Sequence, residues 1–191
     1  MNSRFMLLPS IFLPVCWLIV LAASLRAYPS GPDAGVTGGF GEPTCNQSGC
    51  HNSFDLNAGR ALGLGDLVVS GFPKQYEPGK TYPVKLAVTH TQDRKAWGFQ
   101  LASRVKATGM QAGELKSIDG GTQVLEAKGI QYIEHTLDGS ITNTFNFNWV
   151  APGGPVGEVI MYAAGNAADG GLLPDDDYIY TTSVTVSPAT P

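Results

Sequence analysis

Trp97-Gly98-Phe99-Gln100-Leu101-Ala102-Ser103-Arg104-Val105 alternates without a break. Trp97, Phe99, Leu101, Ser103 and Val105 fall on one face, and Gly98, Gln100, Ala102 and Arg104 on the other. A period of two over nine residues is the signature of a strand with one face in a core. Asn143, Phe145, Phe147 and Trp149 repeat the pattern against Thr144, Asn146 and Asn148, and Ala151-Pro152-Gly153-Gly154-Pro155 ends it abruptly. Trp97 and Trp149 are therefore expected to be buried core aromatics on facing strands, because an indole brings a large apolar area to a core.

Working outward from these strands, the rest of the chain reads as β-structure. Tyr82, Val84, Leu86 and Val88 alternate with Pro83, Lys85, Ala87 and Thr89 after the turn Glu77-Pro78-Gly79-Lys80. Pro83 marks a strand start or an edge, because it has no N–H for a ladder. Leu67-Val68-Val69 is a short β-branched run, and 114–118, 124–126 and 130–136 are short strand candidates between Gly-containing turns, with Gly120-Gly121 marking a hairpin. Two more strands are expected at 158–163 and 179–186, joined by a Gly- and Asp-rich loop over 165–177. No segment has the apolar spacing of a long helix, and 52–65 allows only a short helical turn. Eight or so strands at this spacing predict an all-β, antiparallel, immunoglobulin-like two-sheet sandwich over residues 66–188.

Ahead of it, residues 28–65 form a Gly- and Pro-rich extended lead-in, and residues 1–27 read as an export signal. Arg4 supplies the positive start, residues 5–23 are uncharged and apolar, and small residues follow for cleavage. The run is also long enough for a single uncleaved anchor. Cys16 lies inside it as an apolar filler. Either way the domain is expected outside the cytoplasm: periplasmic, secreted or on the cell surface. The chain has 191 residues and a formal charge of −4, and all sixteen acids lie beyond residue 27. That leaves no basic patch for nucleic acid or an anionic membrane.

Within the lead-in, Thr44-Cys45-Asn46-Gln47-Ser48-Gly49-Cys50-His51 holds the two cysteines that survive removal of the signal and sets a histidine directly after the second. Two thiols followed by His resemble the attachment motif of haem c, in which the imidazole becomes an axial iron ligand. Here four residues separate the cysteines instead of the usual two. The same pair could close a disulfide ring in an oxidising compartment. Both readings stand on the residues alone. A zinc site would need two further ligands from a chain whose only other histidines are His90 and His135. If haem is attached, Cys45 and Cys50 carry the thioethers and His51 is the proximal ligand. His90 and His135 are then the first candidates for the opposite axial position, ahead of Met110 and Met161.

The order and spacing of several blocks resemble the Reeler, or reelin-type, domain and its bacterial exported relatives. They are Tyr76-Glu77-Pro78-Gly79-Lys80-Thr81-Tyr82, Trp97-Gly98-Phe99-Gln100-Leu101, Glu134-His135-Thr136, Phe147-Asn148-Trp149-Val150-Ala151-Pro152 and Gly157-Glu158-Val159. The resemblance covers about two thirds of the chain. It implies an immunoglobulin-like sandwich, secreted or surface-exposed, without catalytic machinery. Bacterial relatives often carry a Cys-His motif at the front that looks like a haem attachment site, so the resemblance favours haem; animal members use cysteines for disulfides.

Other chemistry has little support. There is no nucleophile elbow, zinc-binding helix or phosphate loop. Asp175-Asp176-Asp177 offers hard ligands for calcium but reads more simply as a solvated turn, and Asn46-Gln47-Ser48 fits a glycosylation acceptor only formally. The expected function is electron transfer with a redox partner protein; the alternative is a haem-free module that binds an extracellular ligand through the sandwich surface.

Overall fold

The computed structural model of the protein describes residues 28–47, 50–171 and 173–190. The expected export segment, residues 1–27 with Cys16, lies outside the described residues. Ten strands follow a four-residue helix, α1 (Ala58–Ala61): β1 (Gly65–Ser70), β2 (Gln75–Tyr76), β3 (Thr81–His90), β4 (Ala96–Val105), β5 (Glu114–Ser117), β6 (Thr122–Ala127), β7 (Ile130–His135), β8 (Thr144–Val150), β9 (Val159–Ala168) and β10 (Tyr178–Pro188). They form two sheets, β1-β3-β8-β5 and β2-β10-β9-β4-β7-β6. Every pairing is antiparallel except a two-residue parallel contact of β2 with β10. The expected sandwich is the observed one, and its lead-in has the expected single helical turn.

The two alternating strands sit where their patterns demand. β8 pairs with β3 in one sheet, and β4 pairs with β9 and β7 in the other. Their apolar faces meet: the Phe99 ring lies 4.5 Å from Phe145 and 6.1 Å from Phe147. Trp149 is fully buried, packed on Tyr76, Tyr82 and Phe72, and its indole N–H donates to Ala112 O at 3.1 Å. Ser103 takes the same carbonyl at 2.8 Å, so a hydroxyl on the apolar face is not left unpaired. Pro83 lies within β3 but past the end of β1, whose ladder stops at Ser70↔Lys85, so its missing N–H costs no bond.

Three expectations change. Trp97 packs against the core only partly buried, because it lies at the end of β4, where the sandwich opens into a cavity. Gly120-Gly121 does not join a hairpin: β5 pairs with β8 and β6 with β7, so this turn carries the chain from one sheet to the other. The hairpin turn is instead Lys128-Gly129, both with positive φ (53° and 75°), the conformation that matches strand twist in a two-residue turn. Finally, β9 runs on through Gly165 to Ala168. A Cβ on Gly165 would come within 2.9 Å of Leu67 Cδ1 and 3.0 Å of Val88 Cγ2, so this glycine marks close sheet approach rather than the start of a loop.

The lead-in is a strap across the outer face of the larger sheet. Gln100, 1 % exposed, accepts the Gly35 and Val36 N–H groups at 2.9 and 2.8 Å and donates to Asp33 O and Glu134 Oε2. Arg104 pairs with Glu42 at 2.5 Å and bonds Tyr132 Oη at 2.9 Å. Phe54 stacks on Tyr178 at 4.1 Å. The second face of β4 is thus buried too, under the strap.

Candidate functional site

Beneath the strap, where β4 and β10 begin and β7 and β9 end, lies a cavity of about 380 Å³. That volume is in the range of cofactor and small-ligand clefts. Val36, Ala96, Trp97, Phe99, Ala164, Ala168 and Leu173 supply apolar wall, and Cys45, Cys50, His51, His135, Asn166 and Asp177 line it with polar atoms.

The strap delivers the cysteines through a small loop. Thr37 and Thr44 form an isolated antiparallel bridge, with Gly38 N–H donating to Pro43 O at 3.0 Å, and Cys45 follows immediately. The Cys45 carbonyl then accepts N–H groups from Gln47 and His51, both at 3.1 Å. These bonds fold the motif back on itself, so four intervening residues still leave both thiols and the imidazole facing one cavity. The Asn46 amide donates to Phe54 O at 2.7 Å, which turns it inward rather than outward as a glycosylation acceptor would need. Burial, followed by the neighbouring Cys50, pushes the Cys45 thiol up to about 12. Such a thiol is a poor thiolate nucleophile.

His51 Nδ1 lies 2.5 Å from Asp177 Oδ2 and 3.4 Å from Asn166 Nδ2. Asp177, 2 % exposed, also accepts the Asp169 N–H at 3.0 Å through Oδ1. With Nδ1 committed, Nε2 is the nitrogen left for a ligand. Among the described residues Asn166 Oδ1 is buried with no hydrogen-bond partner.

His135 ends β7 one residue beyond the paired part of β4 and β7. Its ring occupies space that Gly98 vacates: a Cβ there would lie 2.7 Å from His135 Cε1. Nδ1 is 3.1 Å from Phe99 N and 3.3 Å from Phe99 O, standing in for the missing strand partner. When it accepts from Phe99 N–H the proton is on Nε2; when it donates to Phe99 O, Nε2 is free. Burial, partly offset by main-chain bonds to Phe99 and Tyr28, lowers the His135 pKa, and His51 lowers it further. The ring is therefore neutral near pH 7.

The other proposed ligands lie elsewhere. His90 closes β3 with Nδ1 2.7 Å from Tyr180 Oη and Nε2 3.2 Å from Gln92 Oε1, so both its nitrogens are engaged away from the cavity. Met110 is exposed on a turn, and Met161 is buried in the inter-sheet core. No calcium cluster forms at 175–177: Asp177 is taken by His51 and Asp169, and no group of three His, Cys, Asp or Glu placed to hold a metal ion occurs among the described residues. Sequence reading missed Asp177 as the partner of His51, Gly98 as the space for His135, and Trp97 as cavity wall. Contacts 126 residues apart leave no local signal, although a glycine inside a strongly alternating strand is itself a sign of close approach.

No family model matches the chain, and no curated protein does. Among solved structures it is similar to the human F-spondin Reeler domain, at 21 % identity over 65 % of this chain and 88 % of that one, with a TM-score of 0.48. A second structure, of the Reelin-N domain of F-spondin, shares 23 % identity over 66 % and 86 %, with a TM-score of 0.48. The sixth cohesin of Acetivibrio cellulolyticus scaffoldin B, solved in complex with a dockerin, is 11 % identical over 61 % and 96 %, with a TM-score of 0.38.

Proposed function

We propose that this is an extracytoplasmic electron-transfer protein in which Cys45 and Cys50 would attach one haem c and His51 and His135 would supply its histidine ligands. The observation that carries the reading is the shared cavity: two thiols, an imidazole with Nδ1 held by a carboxylate, and a second neutral imidazole, all lining an apolar cleft. This donor set suits haem c, for which thioethers and axial histidines are the usual attachments. Each thiol would add across one vinyl group, sulfur to one carbon and hydrogen to the other, so no atom would be lost. Bound haem would supply one-electron chemistry at its iron. The chain's own residues contribute the rest: Asp177 orients His51, Gly98 leaves room for His135, and Trp97, Phe99 and Ala164 exclude water. The role is that of a carrier to a redox partner protein rather than a catalyst.

Mass spectrometry of protein made in an exporting host with haem-attachment machinery tests this. The expected mass exceeds that of the chain by one whole haem, with Soret and α bands in the visible spectrum. Cys45→Ser with Cys50→Ser abolishes the retained haem. A mass lower by two hydrogens and no visible band would establish a Cys45 to Cys50 disulfide and leave a module that binds an extracellular ligand.

A further inference from the structure

We propose that Asp177 is a positioning residue for His51: its carboxylate keeps the imidazole proton on Nδ1, presents Nε2 to the cavity and makes that nitrogen a stronger donor. The role toward iron rests on the haem reading above; the tautomer does not.

Asp177 is held through both its backbone and its carboxylate. It is the residue before β10, so the sheet fixes its backbone, and it is almost wholly buried. One oxygen is tied to the Asp169 N–H and the other faces His51 Nδ1. Among the described residues its carboxylate has no ion-pair partner except His51. The nearby cation, Arg94, is directed elsewhere: its guanidinium donates to Asp176 O and Gln92 Oε1 and lies over the Tyr178 ring. A carboxylate can only accept, so the ring nitrogen facing it must carry the proton. Asn166 Nδ2, 3.4 Å from the same nitrogen, is the remaining polar neighbour.

Two consequences follow from general chemistry. A carboxylate on the second nitrogen of a metal-bound histidine fixes ring orientation and raises ligand basicity. A more basic axial ligand favours the oxidised iron over the reduced one, so an intact Asp177 lowers the reduction potential. Among the described residues His135 has no such carboxylate on its Nδ1, which meets the main chain of Phe99. The two histidines are therefore unequal, with His51 preset as a donor and His135 dependent on its tautomer.

The first test uses haem-free protein and ¹⁵N NMR of the imidazoles, with the His51 signals assigned through His51→Gln. The wild type should show His51 protonated on Nδ1, and Asp177→Ala should shift it towards Nε2–H. An Nε2–H tautomer in the wild type, or one unmoved by Asp177→Ala, overturns the proposal. The second test is a redox titration of haem-loaded Asp177→Asn, which keeps an acceptor and removes the charge. Its midpoint should move to a higher potential at wild-type haem content, and an unchanged midpoint counts against Asp177 as a tuning group. If mass spectrometry finds no haem on the wild type, the haem reading fails, while the NMR measurement still decides whether Asp177 sets His51.

Discussion

The two faces of β4 are both buried, but by opposite chemistry. One meets the four-stranded sheet through Phe99, Leu101 and Val105, in a core of Trp149, Phe145, Phe147 and Leu86. The other lies under the strap and is crossed by a hydrogen-bonded row of Gln100, Glu134 and Gln123, with Arg104, Glu42 and Tyr132 beside it. Apolar burial is non-directional and holds the sheets together without specifying fine position. Buried polar pairs add little net stability, yet they penalise any shift that leaves a group unpaired. The difference assigns stability to the inner face and placement to the outer one, and the Cys-His segment is what gets placed.

The comparison breaks most visibly at Trp149. Trp149→Ala should cost about 3–5 kcal/mol, the range for emptying a large aromatic core site, read from denaturant unfolding. A nearly neutral result would remove the inner face as the source of stability. Gln100→Leu is next, at about 1–3 kcal/mol, because the part-buried Gly35 and Val36 N–H groups lose their acceptor. It should also make the strap a preferred cleavage site in limited proteolysis; a strap cut no faster than in the wild type would show that the outer row does not hold it.

Trp97→Ala should cost on the order of 1–2 kcal/mol, less than Trp149, because its side chain is only partly buried. The larger consequence is an opened cavity, which on the haem proposal would be seen as a weakened or shifted visible spectrum. Equal losses at Trp97 and Trp149 would return Trp97 to the core.

The smallest expected effect is in pH dependence. The His135 pKa is lowered in the fold, chiefly by burial. Below about 6.5 the unfolded chain takes up a proton that the folded chain refuses, so stability falls as pH drops through that value. His90 is lowered as well, again chiefly by burial, and acts in the same direction. The Glu134 pKa is raised, chiefly by burial, so its contribution is full below 4.5 and is lost as pH rises through its folded value. In haem-free protein, His135→Asn should flatten the fall in urea midpoint between pH 7 and 5 more than His90→Asn does. Equal slopes would mean that His135 is no more sequestered than His90.

How far the molecule was legible from its sequence depends on range. Strand identity was legible wherever one face is apolar, as in β3, β4 and β8, because a period of two is a local property. Which strands pair was not: 114–118 and 124–126 read as hairpin partners around Gly120-Gly121, yet they lie in different sheets. The strap was read as extended but not as covering a sheet, because Gln100 and Arg104 look like solvent-facing residues until something is laid over them. At the site, Cys45, Cys50 and His51 were visible as a contiguous motif, and His135 could be named only as one of two remaining histidines.

The sequence by itself determined an all-β chain, its alternating inner faces and the local group of two thiols and an imidazole, since each of these is written within a few neighbouring residues. Only the tertiary structure decided that His135 shares the cavity while His90 does not, that Asp177 holds His51 and that Trp97 is a wall. Those choices depend on which strand ends and loops are brought side by side, and that is set by sheet order and register across more than a hundred residues.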